Sequence, residues 1–281
     1  MTRFKFSDQH IDEYNMRGLT VFRRILPPSL IRDLRRVCER GAEIVRQEKG
    51  TQVQRFQPVT DYDIDQKPFE DYENLPELRE ALSRVLSPDH TFWKLGVLIN
   101  PQDLPWCTHW HRDARNFLDD TEWEFYTRSK EYFNQINCAL YDDASTWLVP
   151  GSHLRGDQES EREAFTIFPP ENGPDLEGKN YEERELLCLD YCEQMPGAQC
   201  VYLNPGDFAL YRSSAWHLGN YTPYRKRATL HDGVMTPLAI EIWSQRMQKI
   251  EIPLEIVLQK HANAGRGLSA LGNVLSGSST H

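Results

Sequence analysis

From residue 91 to 235 the sequence breaks into short apolar or alternating runs separated by Pro, Gly, Asn and Asp. They are TFWKLGVLIN (91–100), CTHWHRDA (107–114), FNQINCALY (133–141), AQCVYLN (198–204), DFALYR (207–212) and KRATLHDGVM (226–235). Runs of this length, bounded by turn-forming residues, read as strands. Ahead of them the spacing is different. Ser7 can cap a helix over 8–17 and Gly18 can end it, and LTVFRRIL (19–26) alternates like a strand. Leu30, Leu34, Val37, Cys38, Ala42 and Val45 step by three and four through a second helix, opened by Pro27-Pro28-Ser29 and ended by Gly50. PELREALSRVL (76–86) makes a third, with Pro at its first position. Residues 51–74 read as polar and irregular. Helices first and many strands after predict an α+β chain with a mainly β core, a sandwich or a barrel.

The expected organisation is one domain over 1–261. A helical part spans about 1–88 and a β core about 89–240, interrupted by an acidic segment, 155–195, that reads as a lid or surface excursion. The Gly/Ser-rich end, 262–281, reads as a tail. The net charge is -10, and no basic stripe is visible, which argues against nucleic acid and anionic membranes as partners. No apolar run is long enough to span a bilayer, and MTRFKFSDQH lacks the apolar stretch of a signal peptide. A cytoplasmic protein is expected, with its six scattered cysteines reduced. A zinc knot from Cys188, Cys192 and Cys200 is the sharper alternative, but it lacks the tight Cys-x-x-Cys pair such knots favour. Nothing in the sequence sets an oligomeric state.

The chemistry concentrates in THWHRDARN (108–116), which carries His109, His111 and Asp113 at alternate positions. On a strand these would share a face. Neighbours two apart lie roughly 6–7 Å from one another, a span two arms can close on one ion. Residues 109 and 113 lie roughly 13 Å apart on a straight strand, too far for easy convergence. A His-x-Asp pair with one distant His is the economical arrangement. It makes a two-histidine, one-carboxylate triad that leaves positions on iron(II) open for an organic cosubstrate and O2. His217 follows two strand-like runs and a Gly-Asp turn. Arg227, ten residues on, could clamp a carboxylate.

Five features in order resemble the phytanoyl-CoA dioxygenase-like family of iron(II)/2-oxoglutarate oxygenases: helix–strand–PPSL–helix (7–46), WHRD (110–113), a strand ending in ALYDD (139–143), VPGSH (149–153), and PGDFALY followed by His217 and Arg227. The resemblance covers about residues 7–235. It implies a double-stranded β-helix, a cupin-like jelly roll with flanking N-terminal helices. It also implies iron ligands at His111, Asp113 and His217, and a cosubstrate arginine at Arg227. Arg225 shares the strand face with Arg227, and spacing does not separate the two. The chain departs from the family pattern at Gly219, where a serine that helps hold the cosubstrate is common, and at ASTW (144–147), which replaces a longer Gly-containing turn. Because Asp113 is a carboxylate, the iron position that halogenating relatives free for halide is filled. The implied cofactors are Fe(II), 2-oxoglutarate and O2, with hydroxylation of a small-molecule C–H bond and decarboxylation of the cosubstrate to succinate and CO2.

Around these residues, Lys94, Gln135 and Asn137 are candidates for the cosubstrate pocket. His109, Arg115 and Trp216 are candidates for substrate contact, with Trp147 as a further wall. His153 and His231 read as structural. Desaturation, cyclisation or epimerisation in natural-product biosynthesis would use the same motifs. A non-catalytic jelly-roll binding protein predicts the loss of a ligand, and none is lost. A zinc hydrolase would give Arg227 no role. The lack of a basic patch disfavours a CoA thioester, and secondary metabolism is the expected setting.

Overall fold

In the computed structural model, residues 4–113, 115, 118–129, 134–162, 173–236 and 239 are described. The first helix, α1 (Asp8–Arg17), begins where Ser7 and His10 cap each other's backbone and ends at Gly18, whose φ of 73° only glycine adopts freely. Strand β1 (Leu19–Phe22) follows, then α2 (Pro28–Lys49), which buries the stripe of Leu30, Leu34, Val37, Cys38, Ala42 and Val45. The stretch expected to be irregular, 51–74, holds a short strand β2 (Arg55–Phe56) and a helix α3 (Lys67–Glu73). Gly41 of α2 allows β2 this close, since a Cβ there would lie 2.6 Å from the Phe56 ring. Helix α4 (Pro76–Val85) completes the helical part.

The strands then form two sheets. The expected 91–100 run divides into β3 (Thr91–Phe92) and β4 (Gly96–Leu98). After β5 (Trp106–Cys107) come α5 (Asp120–Arg128), β6 (Asn134–Ala139), β7 (Asp143–Leu148), α6 (Tyr181–Gln194), β8 (Gln199–Leu203), β9 (Phe208–Arg212), β10 (His217–Tyr221) and β11 (Thr229–Met235). The larger sheet runs β1-β9-β6-β11-β4-β2, with β3 also on β11; the smaller runs β5-β10-β7-β8. All their pairings are antiparallel. Two facing antiparallel sheets with crossed strand order make the expected jelly roll.

Alternation divides the larger sheet into two faces. Val97, Ile136, Cys138, Phe208, Leu210 and Leu230 join the helices in one apolar core. The opposite face turns towards the smaller sheet, where Ala139, Ala209 and Tyr211 meet Leu148, Val201 and Leu203. The cross-strand register therefore places Tyr211 and Gln135 in one inner row, Ala209, Asn137, His231 and Gly96 in the next, and Ala139, Thr229, Leu98 and Arg55 in a third.

The acidic 155–195 segment is not simply a surface excursion. Its Asn180–Glu183 capping box starts α6, which buries Cys188, Tyr191 and Cys192. These pack with Cys107, Trp110, Val149, Trp216 and Leu218 on the outer face of the smaller sheet. Residues 163–172 and the tail 262–281 lie outside the described residues. ASTW is also not a turn: Ala144 to Trp147 lie inside β7. No described helix is long and apolar enough to cross a membrane.

Candidate metal centre

The 107–114 run is not the continuous strand expected. Only Trp106–Cys107 pairs regularly with β10, and pairing resumes at an isolated bridge between His111 and His217. Thr108 donates to the Gly219 carbonyl at 2.8 Å, while His111 and His217 exchange backbone bonds of 3.0 and 3.1 Å. Thr108 to His111 are thus four residues opposite the three from His217 to Gly219. This one-residue bulge re-aims His111 at the first residue of β10. Asp113 is anchored beyond it, its N–H donating to the Ser213 carbonyl at 2.9 Å.

The result is a cluster. One ligand atom each from His111, Asp113 and His217 lies within 4.8 Å of the other two. His111 Nε2 is 3.7 Å from Asp113 Oδ1 and His217 Nε2 is 3.9 Å from Asp113 Oδ2. Ligands at ~2.1 Å from an ion and at right angles would stand roughly 3 Å apart, so a small closure of the arms suffices. His111 Nδ1 lies 2.9 Å from the His109 carbonyl and His217 Nδ1 2.9 Å from the Ala215 carbonyl. A carbonyl only accepts, so each Nδ1 carries the proton and each Nε2 presents a lone pair towards Asp113.

The electrostatics agree. Burial pushes the His111 pKa down to about 4, helped by His217, and burial takes His217 down to about 4 as well. Both imidazoles are neutral at pH 7 and available to a cation. Burial pushes Asp113 up to about 6, against the pull of His111, Arg55 and Gln135. A largely buried carboxylate whose hydrogen-bond partner is the neutral amide of Gln135, facing two neutral histidines, is a site that a dication would stabilise. Cys188, Cys192 and Cys200 form no comparable group among the described residues; all six cysteines are free thiols, and Cys200 alone is exposed.

Gln135 is beside the triad, as expected, but in a particular way. Its amide donates to Asp113 Oδ2 and its Oε1 accepts from the Tyr211 hydroxyl at 2.6 Å. It orients the Asp113 carboxylate. Asn137 is buried on the next inner row, and its amide spans the sheets, donating to Thr146 Oγ1 at 2.7 Å and meeting His231 Nδ1 at 2.8 Å. His231, expected to be structural, thus lines the interior. Burial, reinforced by Arg55 and Arg227, lowers its pKa to about 3.

Arg227 is buried and Arg225 is exposed, which separates the pair that spacing could not. Arg227 Nε donates to Asp143 Oδ2 at 2.9 Å, and its Nη1 is buried with no hydrogen-bond partner. Burial works against its charge, but Asp143 and then Tyr221 outweigh burial and hold its pKa above the usual value. For Asp143, burial is likewise outweighed, chiefly by Arg227, and its pKa is lowered. The pair is ionised, with one end of the guanidinium left over.

Other candidates sit elsewhere. Trp216 precedes His217 on β10 and so faces the outer side of the smaller sheet, where Arg112 lies 4.8 Å from its ring centroid. Trp147 packs against the same outer cluster. Neither walls the interior. Lys94 is held through its backbone, its N–H donating to Asp232 at 2.5 Å, and its ammonium makes no ion pair among the described residues. Arg115 is exposed and pairs with Asp120 at 3.0 Å. His109 stands 5.2 Å, ring to ring, from His111, and its carbonyl orients that ligand. His153 is packed against Gly18 and bonded to the Asn15 carbonyl, a structural position.

Two arginines escaped the sequence reading. Arg112, between the two ligands of WHRD, is buried and donates to the Ser152 and Ser214 carbonyls at 2.6 and 2.9 Å. It ties VPGSH and the turn before His217 to the ligand loop. Arg55 follows the inner face because its neighbour Phe56 fills the helix-side core. Among the described residues it makes no ion pair, only a 3.4 Å contact to Gln57, while its charge acts on Asp113.

No family model and no curated protein matches the sequence. Solved structures do match the fold. The non-heme alpha ketoglutarate-dependent carbocyclase SnoK from nogalamycin biosynthesis is 16% identical, with a TM-score of 0.53 over 83% of this chain and 85% of that one. AviO1 from Streptomyces viridochromogenes Tue57 is 15% identical, with a TM-score of 0.56 over 84% and 97%. The epimerase SnoN, in complex with Fe3+, alpha ketoglutarate and nogalamycin RO, is 14% identical, with a TM-score of 0.52 over 82% and 83%. The jelly roll that carries His111, Asp113 and His217 is therefore a fold shared with these solved structures, among them an alpha ketoglutarate-dependent carbocyclase and an epimerase.

Proposed function

We propose that this chain is an iron(II)/2-oxoglutarate-dependent dioxygenase that oxidises a small molecule. The observation that carries the reading is the triad itself: two Nε2 lone pairs and one carboxylate converge, with both Nδ1 atoms tied to carbonyls. Imidazole and carboxylate donors suit iron(II), and three protein ligands leave room on an octahedral ion. The spare end of Arg227 fits an acid group. Its buried Nη1 wants an acceptor, and a dicarboxylate cosubstrate brings one. Iron(II) with 2-oxoglutarate supplies O2 activation and C–H oxidation as the cosubstrate becomes succinate and CO2.

The chain's own contributions are binding and order. His111, Asp113 and His217 hold the ion. Gln135 fixes the carboxylate's rotamer, and Arg227 neutralises the far carboxylate. The buried inner rows, with Asn137 tied across the sheets to Thr146 and bonded within its own sheet to His231, line the space between the two. Hydroxylation is the favoured outcome because Asp113 fills the position a halide would need. Cyclisation or epimerisation is a second reading, favoured by the likeness to a carbocyclase and an epimerase, both from nogalamycin biosynthesis. A cytoplasmic setting fits the free thiols.

The test is an anaerobic titration of the protein with iron(II) and 2-oxoglutarate. A visible charge-transfer band should develop and should be lost in His111→Ala and Asp113→Ala. Iron bound without any band on adding 2-oxoglutarate would sink the reading. Succinate release against a panel of natural-product scaffolds, with product analysis, then separates hydroxylation from ring formation or epimerisation.

A further inference from the structure

Gly219 lies on the inner face of β10, between His217 and Tyr221, which share that face by alternation. Its place is not empty. A Cβ built there would stand 2.8 Å from both Cε2 and the hydroxyl of Tyr221. The Tyr221 ring therefore folds back along its own strand towards His217 and fills the room a side chain at 219 would take. Trp106, 5.4 Å away ring to ring, backs it. The ring is 3% exposed, so this is a packed position.

The same ring lies beside the cation. Arg227 Cζ is 5.0 Å from the Tyr221 centroid. Asp143 and Thr229 take Arg227 Nε, the Tyr221 hydroxyl accepts a hydrogen bond from the guanidinium, and Nη1 is buried without an acceptor. A phenol and a guanidinium end thus meet on the path from His217 to Arg227, in a water-poor interior. Two donors of this kind suit one carboxylate.

We infer that Tyr221 is a cosubstrate-binding residue: its hydroxyl donates to the distal carboxylate of 2-oxoglutarate beside Arg227, in the space that Gly219 leaves. This rests on the function proposed above. The glycine is part of the device, since any larger residue at 219 would push the ring off this position.

The experiment compares the parent and Tyr221→Phe, both loaded anaerobically with iron(II), by the 2-oxoglutarate dependence of the charge-transfer band. The Phe ring keeps the packing and removes one donor. Hydrogen bonds to charged groups predict a rise in Kd of about 10- to 100-fold at unchanged band position. The same titration with 2-oxopentanoate, which lacks the distal carboxylate, should give equal Kd values for both proteins. Equal Kd values for 2-oxoglutarate would overturn the inference. So would an equal weakening for both keto acids, which would mean lost packing. A parent without any band would instead refute the function on which the inference rests, so the two failures are distinguishable.

Discussion

Asp143→Ala removes the partner of a cation that has nowhere else to go. In the parent, the Asp143 and Arg227 side chains are 3% and 2% exposed and 2.9 Å apart. Asp143 also accepts from the Thr229 hydroxyl and, at 2.8 Å, from the Ser145 N–H. The truncation leaves a buried guanidinium uncompensated and strips two further donors of their acceptor. Breaking a buried pair from one side costs about 3–5 kcal/mol, against a total stability of roughly 5–15 kcal/mol. In a chain this size that lowers Tm by on the order of 10 °C. The sign with pH follows from the depressed folded pKa of Asp143. Its contribution is complete above the unfolded carboxylate value near ~4 and is lost as pH falls through the lower folded pKa. The gap between parent and variant should therefore be full at pH 7 and narrow only in strong acid. On the proposed function 2-oxoglutarate brings a carboxylate to the same guanidinium, so iron(II) and 2-oxoglutarate should raise the variant's Tm more than the parent's. Urea unfolding at pH 7, with thermal melts with and without cosubstrate, measures all of this. A loss under about 1 kcal/mol would mean that Asp143 does not hold Arg227 charged in the interior, and the reasoning about its spare Nη1 would fall with it.

Gln135→Leu removes the donor that sets the Asp113 rotamer and leaves the Tyr211 hydroxyl without its acceptor. Iron(II) affinity, measured by anaerobic chelator competition, should drop about 10- to 100-fold, and an unchanged affinity would contradict the orienting role. Arg55→Glu reverses an unpaired charge on the inner face. Stopped-flow association of the 2-oxoglutarate dianion should slow at low salt and converge on the parent towards 1 M, where the screening length is about 3 Å. A salt-independent difference would point to a direct contact instead.

How much of this was legible depends on whether an element declares itself locally. Helices α1, α2 and α4 carry caps and apolar stripes within their own residues, and the sequence spacing places them within a residue or two. Strands β6, β9 and β11 bury a β-rich face and are equally visible. Strands β2, β7 and β10 were not. DASTWL and HLGNY place Thr146, His217 and Gly219 on their inner faces beside Leu148 and Tyr221, so neither shows a clean apolar alternation. Helices α5 and α6 were missed although the Asp119–Glu122 and Asn180–Glu183 capping boxes announce them. The ligand residues were legible as a motif, but the bulge that aims His111 was not. A bulge is a property of the pairing with β10, 106 residues further along the chain at the His111–His217 bridge, and no local pattern encodes it. The outward turn of Trp216 follows from the inward turn of His217 and became readable once β10 was seen as a strand.

Arg112 explains how the three dispersed residues of the candidate site are held together. Its guanidinium holds Ser152 of VPGSH and Ser214 of the turn before His217. Ser152 in turn accepts from the Trp216 N–H at 2.9 Å, one residue from the ligand. Asp113, next to Arg112, is bonded through its N–H to Ser213. Every segment that carries or flanks a residue of the triad is thus tied to the others by hydrogen bonds within the protein. Burial makes those bonds costly to break, because an uncovered guanidinium in this position would lose several partners at once. On the proposed function, an ion would join a fold that already exists, unlike sites whose ligands meet only around the ion. The motif residues around the triad are in this sense its frame: the arginine of WHRD closes on the serine carbonyl of VPGSH.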